Sequence, residues 1–299
     1  MTTLKGPDQA RLLLAFFLIY FIWGSTYLAI RYAIETLPPF LMAGTRFLLA
    51  GTALYVFMRL RGTPAPAFRQ WLQLAVVGTF LFLGGNGLVV WAEQYVNSGL
   101  AALLVSTLPL WLITLDWLWA GGPAPTLKAL SGIALGIIGM VVLVDPARLV
   151  DSTVDVTGAL VVILASFCWA IGSIYSKKFK HPASIFMSAA CQMTGGGLSL
   201  LLVSLSLNES AGFSLSQVSL NSFAAFSYLV VFGSMIAISA YVWLLQNASA
   251  TSVSTYAFVN PTVAILLGWL LADEQINAHI LAGAVIILLG VILVIRSKR

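Results

Sequence analysis

The sequence predicts an all-α integral membrane protein of ten transmembrane helices, built as two five-helix repeats that face opposite ways. Three observations carry that expectation. Of 299 residues, 60% are hydrophobic and only 8% charged, where soluble domains carry roughly 25% charge. Apolar stretches recur at the length a bilayer demands, about 20 residues each. The second half of the chain also repeats the first. Phe21-Ile22-Trp23 is answered by Phe167-Cys168-Trp169 at a spacing of 146, and Arg46 falls opposite Gln192. Trp91, Gln94 and Pro109 meet Trp243, Gln246 and Pro261 at 152; Gly132 and Gly139 meet Gly283 and Gly290 at 151. Five crossings per copy is an odd number, so the copies must be inverted with respect to each other.

Taken in order, the apolar segments cover residues 12–33, 40–60, 72–95, 99–119, 127–145, 157–177, 184–206, 221–246, 252–271 and 279–296. The basic run before the first is followed by more than 20 apolar residues without a small-residue cleavage site, which reads as an uncleaved helix. Turn signals separate the others: Leu37-Pro38-Pro39, Gly62-Thr63-Pro64-Ala65-Pro66 and Gly121-Gly122-Pro123-Ala124-Pro125. These loops hold no folded module. The acidic stretch Asp145 to Asp155 joins the halves, giving repeats over residues 1–150 and 151–299.

Charge placement sets the expected orientation. With the N-terminus in the cytoplasm, twelve of the fifteen basic residues lie inside, Arg31 and Arg148 lie outside, and Arg46 lies within a span. That is the positive-inside bias. It accounts for the pI near 9.3 without a nucleic-acid partner and puts both termini in the cytoplasm of a bacterial-type inner membrane. Cys168 and Cys191 both fall inside spans, away from any disulfide or metal spacing.

Candidate functional residues are those that violate the rules of a lipid-facing helix. Trp71, Trp117, Trp119 and Trp269 lie near helix ends, as interfacial belts require. Trp23 and Trp169 lie halfway along their helices, each followed by small and hydroxylated residues: Thr26 and Tyr27 after one, Ser173 after the other. An indole there needs a partner for its N–H, and a polar cavity supplies one; packing on a neighbouring helix is the competing reading. Pro109 and Pro261 occupy matching mid-helix positions, and matched helix breaks point to a transporter's substrate site; a plain kink is the alternative. Asn86, Tyr241, Tyr256 and Asn260 complete the expected cavity wall. The glycines of helices five and ten read as packing between helices.

Intramembrane charge is sparse and is weighed residue by residue. Arg46 lies two turns into helix two, Glu93 close to the outer end of helix three, and Asp116 near the inner end of helix four. Glu93 admits two readings, a proton-coupling carboxyl or a static ion-pair partner of Arg46. Asp116 reaches cytoplasmic water or Arg59, or stands in for Glu93 in coupling. No catalytic cluster, nucleotide loop or metal-ligand spacing is present, so no enzyme activity, cofactor or metal is expected.

At these residues the chain resembles the drug/metabolite transporter superfamily, with two EamA domains. The resemblance runs through IWGSTYLAIRYAIETLPPFLMAGTRFLLAG (22–51), GNGLVVWAEQ (85–94), STLPLW (106–111), FGSMIAISAYVWLL (232–245) and TSVSTYAFVNPTVAILLG (251–268). It implies ten helices, an inverted repeat, a central cavity and export of small metabolites or toxic compounds. Family members often carry an acid between the last two helices of each repeat; here the second repeat has Glu274 and the first has Gly121-Gly122. The expected function is secondary efflux of small amphipathic or zwitterionic metabolites, such as amino acids, or drugs. A lipid-linked headgroup flippase and a metabolite importer are the alternatives. The expected partners are a small-molecule substrate, the bilayer and, on one reading of Glu93, protons; the chain is expected to act as a monomer.

Overall fold

Every described stretch of apolar sequence is helical in the computed structural model, which describes residues 7–122, 124–144, 155–176, 178–179, 182, 184–248, 253 and 256–296. The linker expected between the halves (145–154), Pro123, Lys177, Lys180 and His181 lie outside the described residues. Helix α1 runs over Pro7–Ala33 and α2 over Pro39–Leu60, with Pro39 at the start of the helix, where a missing N–H costs nothing. The third unit is α3 (Phe68–Gly78), a π-helical segment π1 (Thr79–Gly87) and α4 (Leu88–Ala92). The fourth is α5 (Ser98–Val105) and α6 (Leu108–Ala120), followed by α7 (Leu127–Val144). The second half holds α8 (Val156–Ser176), α9 (Ile185–Ser206), then α10 (Leu220–Tyr228), π2 (Leu229–Ile236) and α11 (Ala237–Asn247), and finally α12 (Tyr256–Leu271) and α13 (Ala278–Arg296).

Seven of these units are long and apolar enough to cross a membrane, and three shorter apolar helices accompany them: Leu127–Gly139, Val259–Leu271 and Ile280–Leu293. Large apolar side chains cover the outside, among them Leu202 (66% exposed), Leu205 (66%) and Leu289 (51%). A water-soluble protein hides such surface; a bilayer accepts it. Trp117, Trp119 and Trp269 are exposed near helix ends, consistent with an interfacial belt.

The helices pair across the two halves. α2 packs on α9, α3 on α9, α1 on α12, and α7 on α13. Small residues make the last contact. A Cβ at Gly290 would come within 2.6 Å of the Gly132 carbonyl oxygen and 2.7 Å of the Gly136 nitrogen, and one at Gly139 within 2.8 Å of the Ile287 nitrogen. Backbone therefore lies against backbone, as the glycine spacing led us to expect.

Carboxylates of the second half cap helices of the first. Phe40 N and Leu41 N, at the start of α2, donate to Glu209 Oε1 and Oε2 at 3.2 and 2.8 Å. At the start of α5, Ser98 N (2.9 Å) and Ser98 Oγ (2.8 Å) donate to Glu274 Oε1, and Gly99 N (3.1 Å) donates to Glu274 Oε2. Arg31 Nη1, from the end of α1, donates to Glu274 Oε1 at 3.1 Å and to Asn97 Oδ1 at 3.0 Å. Further bonds gather at this same end of the bundle: Ser222 Oγ donates to Tyr32 O at 2.7 Å, Ser219 N to Thr36 Oγ1 at 3.2 Å, and Tyr32 Oη to Leu271 O. The opposite end of α1 instead packs Leu12, Ala15, Phe16 and Ile19 against Ala240, Leu244 and Val253 of the second half.

Candidate functional site

The two mid-helix tryptophans each sit on a π segment contributed by the other half. Trp23 of α1 donates from Nε1 to the Gly233 carbonyl of π2 at 3.3 Å. Trp169 of α8 lies flat on π1, so that a Cβ added at Gly85 would meet its Cε3 at 2.7 Å. A π turn widens the helix, leaves backbone groups off the regular ladder, and occurs mostly at functional positions. Sequence gave no hint of either segment. An i→i+5 ladder has no side-chain period of its own, but both segments do contain a glycine where the indole rests.

Around Trp23 the structure gathers most of the expected cavity wall. Its ring lies 5.1 Å from Tyr241 and 5.2 Å from Tyr256, which are 6.1 Å from each other. Gly24 makes this possible, since a Cβ there would meet Val263 of α12 at 2.7 Å. Thr26 Oγ1 bonds back to the Trp23 carbonyl at 2.6 Å, while Ser25 Oγ meets Tyr228 Oη at 2.6 Å. Tyr27 is half-buried and packs against the α4–α5–α8 core. Trp169 belongs to a separate ring group, edge-on to Phe82 at 6.2 Å, with Phe82 4.4 Å from Phe47. Ser173 Oγ donates to the Trp169 carbonyl at 2.8 Å, and Asn86 is half-buried on π1.

The prolines act differently in the two halves. The fourth unit is interrupted at Ser106-Thr107, and Pro109 sits in the first turn of α6, where its ring breaks no ladder bond. Ser106 Oγ and Thr107 Oγ1 fold back onto the Leu103 and Leu104 carbonyls, both at 2.6 Å. The break is thus sealed by hydroxyls. Pro261, in contrast, lies inside the continuous helix α12. Next to it, Asn260 is 7% exposed, and its amide nitrogen donates to Tyr20 O at 3.1 Å and Tyr256 O at 3.2 Å. That amide joins α12 to α1, so its hydrogen-bonding capacity is spent on carbonyls.

The ion pair entertained between Arg46 and Glu93 is not formed. Arg46, 4% exposed, donates from Nε to Ser234 Oγ of π2 at 2.9 Å and holds its guanidinium 4.7 Å from the Phe47 ring centroid. Those contacts draw the side chain toward the second half. Glu93, 5% exposed, ends α4, with its backbone N donating to Val89 O at 3.0 Å. Arg46 Nη1, both Glu93 carboxylate oxygens and Trp111 Nε1 are buried without a hydrogen-bond partner. Asp116 joins neither residue: it lies near the end of α6, with its carboxylate against Gly122 and its carbonyl accepting from Gly122 N at 2.9 Å. Arg59 turns to the Thr63 carbonyl at 2.8 Å. Among the described residues there is no cluster of His, Cys, Asp and Glu that would hold a metal.

Sequence reasoning missed three participants: Ser234, which anchors Arg46; Arg31, read only as an outer basic residue; and Ser98, the helix start that takes Glu274. Asn97-Ser98-Gly99 is a cap-forming triplet and could have flagged the last. Beside the Glu274 contacts lies a pocket of about 270 Å³, lined by Arg31, Asn97, Asp273, Gln275 and Asn277 among others.

Comparison with known proteins places this geometry. The EamA-like transporter family matches residues 10–145 and again 156–296. The chain is 38% identical over 285 residues to the inner membrane transporter YedA of Escherichia coli strain K12, covering 95% of this chain and 90% of that protein. It is 25% identical to the transporter YoaV of Bacillus subtilis strain 168, covering 95% and 96%. A solved crystal structure shares the fold with a TM-score of 0.64 at 17% identity, over 95% of this chain and 97% of the other.

Proposed function

Because the chain belongs to the EamA-like transporter family, we propose that this membrane transporter is a secondary exporter of small amphipathic or zwitterionic metabolites, amino acids and their relatives foremost. On this reading the ten helical units cross an inner membrane as two inverted halves, residues 1–150 and 151–299, with both termini in the cytoplasm. The substrate sits between the halves, where Trp23, Thr26, Tyr27, Asn86, Trp169, Ser173, Tyr241 and Tyr256 form an amphipathic wall. Pro109, Asn260 and Pro261 shape the helices around it.

The observation that carries the proposal is the reciprocal seating of Trp23 on π2 and Trp169 on π1. Each half lends a rigid aromatic to an irregular segment of the other, near the middle of the bundle. Irregular backbone at membrane depth is tolerated where it lines protein or a cavity, and transporters of this plan place their sites between the halves. The wall offers indole, phenol and amide groups, which suits compounds with an apolar body and polar ends. Glu93 is the carboxyl through which protons would be coupled.

A metabolite profile tests this directly. Cells overproducing the protein should lose one or more small amphipathic compounds from the cytoplasm and gain them in the medium. Cells making equal amounts of membrane-inserted Trp23→Ala should match the vector control. Identical profiles for wild type and vector would refute the exporter reading.

A further inference from the structure

We propose that Arg46 and Glu93 are the two anchors of a zwitterionic substrate, with Arg46 taking its carboxylate and Glu93 its ammonium; this rests on the transporter reading above. Both residues are more than nine-tenths buried. Both keep hydrogen-bonding atoms without partners: one guanidinium nitrogen on Arg46, both carboxylate oxygens on Glu93. Isolated buried charge is unfavourable, and the cheapest remedy is contact with an opposite charge. Here the opposite charges lie within electrostatic reach of each other and still do not meet.

The packing explains why they stay apart. Ser234 Oγ holds Arg46 Nε, and is itself fixed by donating to the Leu229 carbonyl at 3.1 Å, five residues back in the π turn. Phe47 lies under the guanidinium, and its Nη2 rests close to Gly233 and near the Thr26 methyl. Glu93 is fixed at the last turn of α4, facing Tyr27 of α1 closely enough to feel its hydroxyl. Neither side chain can swing to the other without losing these contacts. The π segment, the indole seat and the orphaned guanidinium nitrogen are therefore one construction: π2 presents Gly233 to Trp23 and Ser234 to Arg46 on adjacent residues.

Charge balance selects the ligand class. An anion attracted to Arg46 would meet the Glu93 carboxylate, and a cation attracted to Glu93 would meet the guanidinium. Arg31 and Glu274, the other charges that reach Glu93, neutralise one another in their own ion pair. A molecule with a carboxylate and an ammonium on neighbouring atoms satisfies both residues. A planar guanidinium is suited to carboxylates, and a carboxylate accepts from all sides of an ammonium.

The test uses the purified full-length protein in detergent and its thermal stabilisation by each of the twenty proteinogenic L-amino acids. The best stabiliser is then compared with its decarboxylated amine and its deaminated acid. Wild type should bind the amino acid at least tenfold more tightly than either fragment. Arg46→Gln should lose the amino acid and the acid but retain the amine, and Glu93→Gln should do the reverse. Arg46→Lys and Glu93→Asp keep the charges and should keep the preference for the zwitterion, which separates recognition from a folding defect. Equal binding of all three probes by wild type, loss of all three alike in both Gln variants, or stabilisation by no amino acid would overturn the proposal. Export of some other metabolite in the cellular profile would then leave the transporter reading standing, whereas an unchanged profile would remove both.

Discussion

Replacing Glu274 with Ala should loosen one end of the bundle far more than it disturbs the fold. The carboxylate takes four bonds, three on Oε1 from Ser98 N, Ser98 Oγ and Arg31, and one on Oε2 from Gly99 N. Loss of an N-terminal cap costs about 1 kcal/mol, and a carboxylate at a partly buried helix start adds about 1 kcal/mol more. The Arg31 side chain is 35% exposed, so the ion pair itself contributes at most about 1 kcal/mol. The sum is roughly 2–3 kcal/mol, and if these bonds break when this end opens, the closed-to-open ratio falls about thirty- to hundredfold. A cysteine at Leu100, 5% exposed beside α5, reports the change once Cys168 and Cys191 are replaced by Ala. An impermeant maleimide added outside intact cells should label Leu100→Cys at least about tenfold faster in the Glu274→Ala background. Arg31→Gln should give a smaller rise. A labelling rate unchanged by Glu274→Ala, alongside a lowered melting temperature, would mean that the cap serves folding only.

Two further outcomes are expected. Gly290→Ala places a methyl against the Gly132 and Gly136 backbone, and the strain of forcing α7 and α13 apart should cost about 1–3 kcal/mol; thermal denaturation in detergent measures it, and an unchanged melting temperature would contradict the close approach. Alkaline phosphatase fused after Arg299 should be inactive and a fluorescent protein fused there bright, because twelve basic residues favour the cytoplasmic side; the reverse pattern would invert every side assignment.

The helices were legible because hydropathy and segment length are local quantities, so each apolar stretch in the sequence corresponds to a helix over its described residues. The facing glycines of α7 and α13 were legible for a related reason, being spaced along a single helix. What escaped is relational. Glu274 meets Ser98 across 176 positions, and nothing in either neighbourhood names the other. The Arg46–Glu93 pair was expected from depth alone, yet the partner Arg46 found is Ser234, 188 positions away and made available only by a π turn. Asn260 was flagged correctly as costly, but its carbonyl partners on α1 and α12 depend on how those helices cross.

The two ends of the bundle are held together by different forces, and this has a thermal consequence. One end is joined by directed bonds to Glu274, Glu209 and Tyr32. The other relies on Leu12, Phe16, Ile19 and Leu244 in apolar contact, and Gly121-Gly122 stands where an acid equivalent to Glu274 would lie. Apolar association weakens on cooling, whereas hydrogen bonds do not share that heat-capacity signature. Chilling the protein should therefore release the apolar rim while the bonded rim holds, trapping molecules on one side of their cycle. Transport measured in the two directions across a sealed vesicle would then diverge as the temperature falls, with a break in one Arrhenius plot that is missing from the other.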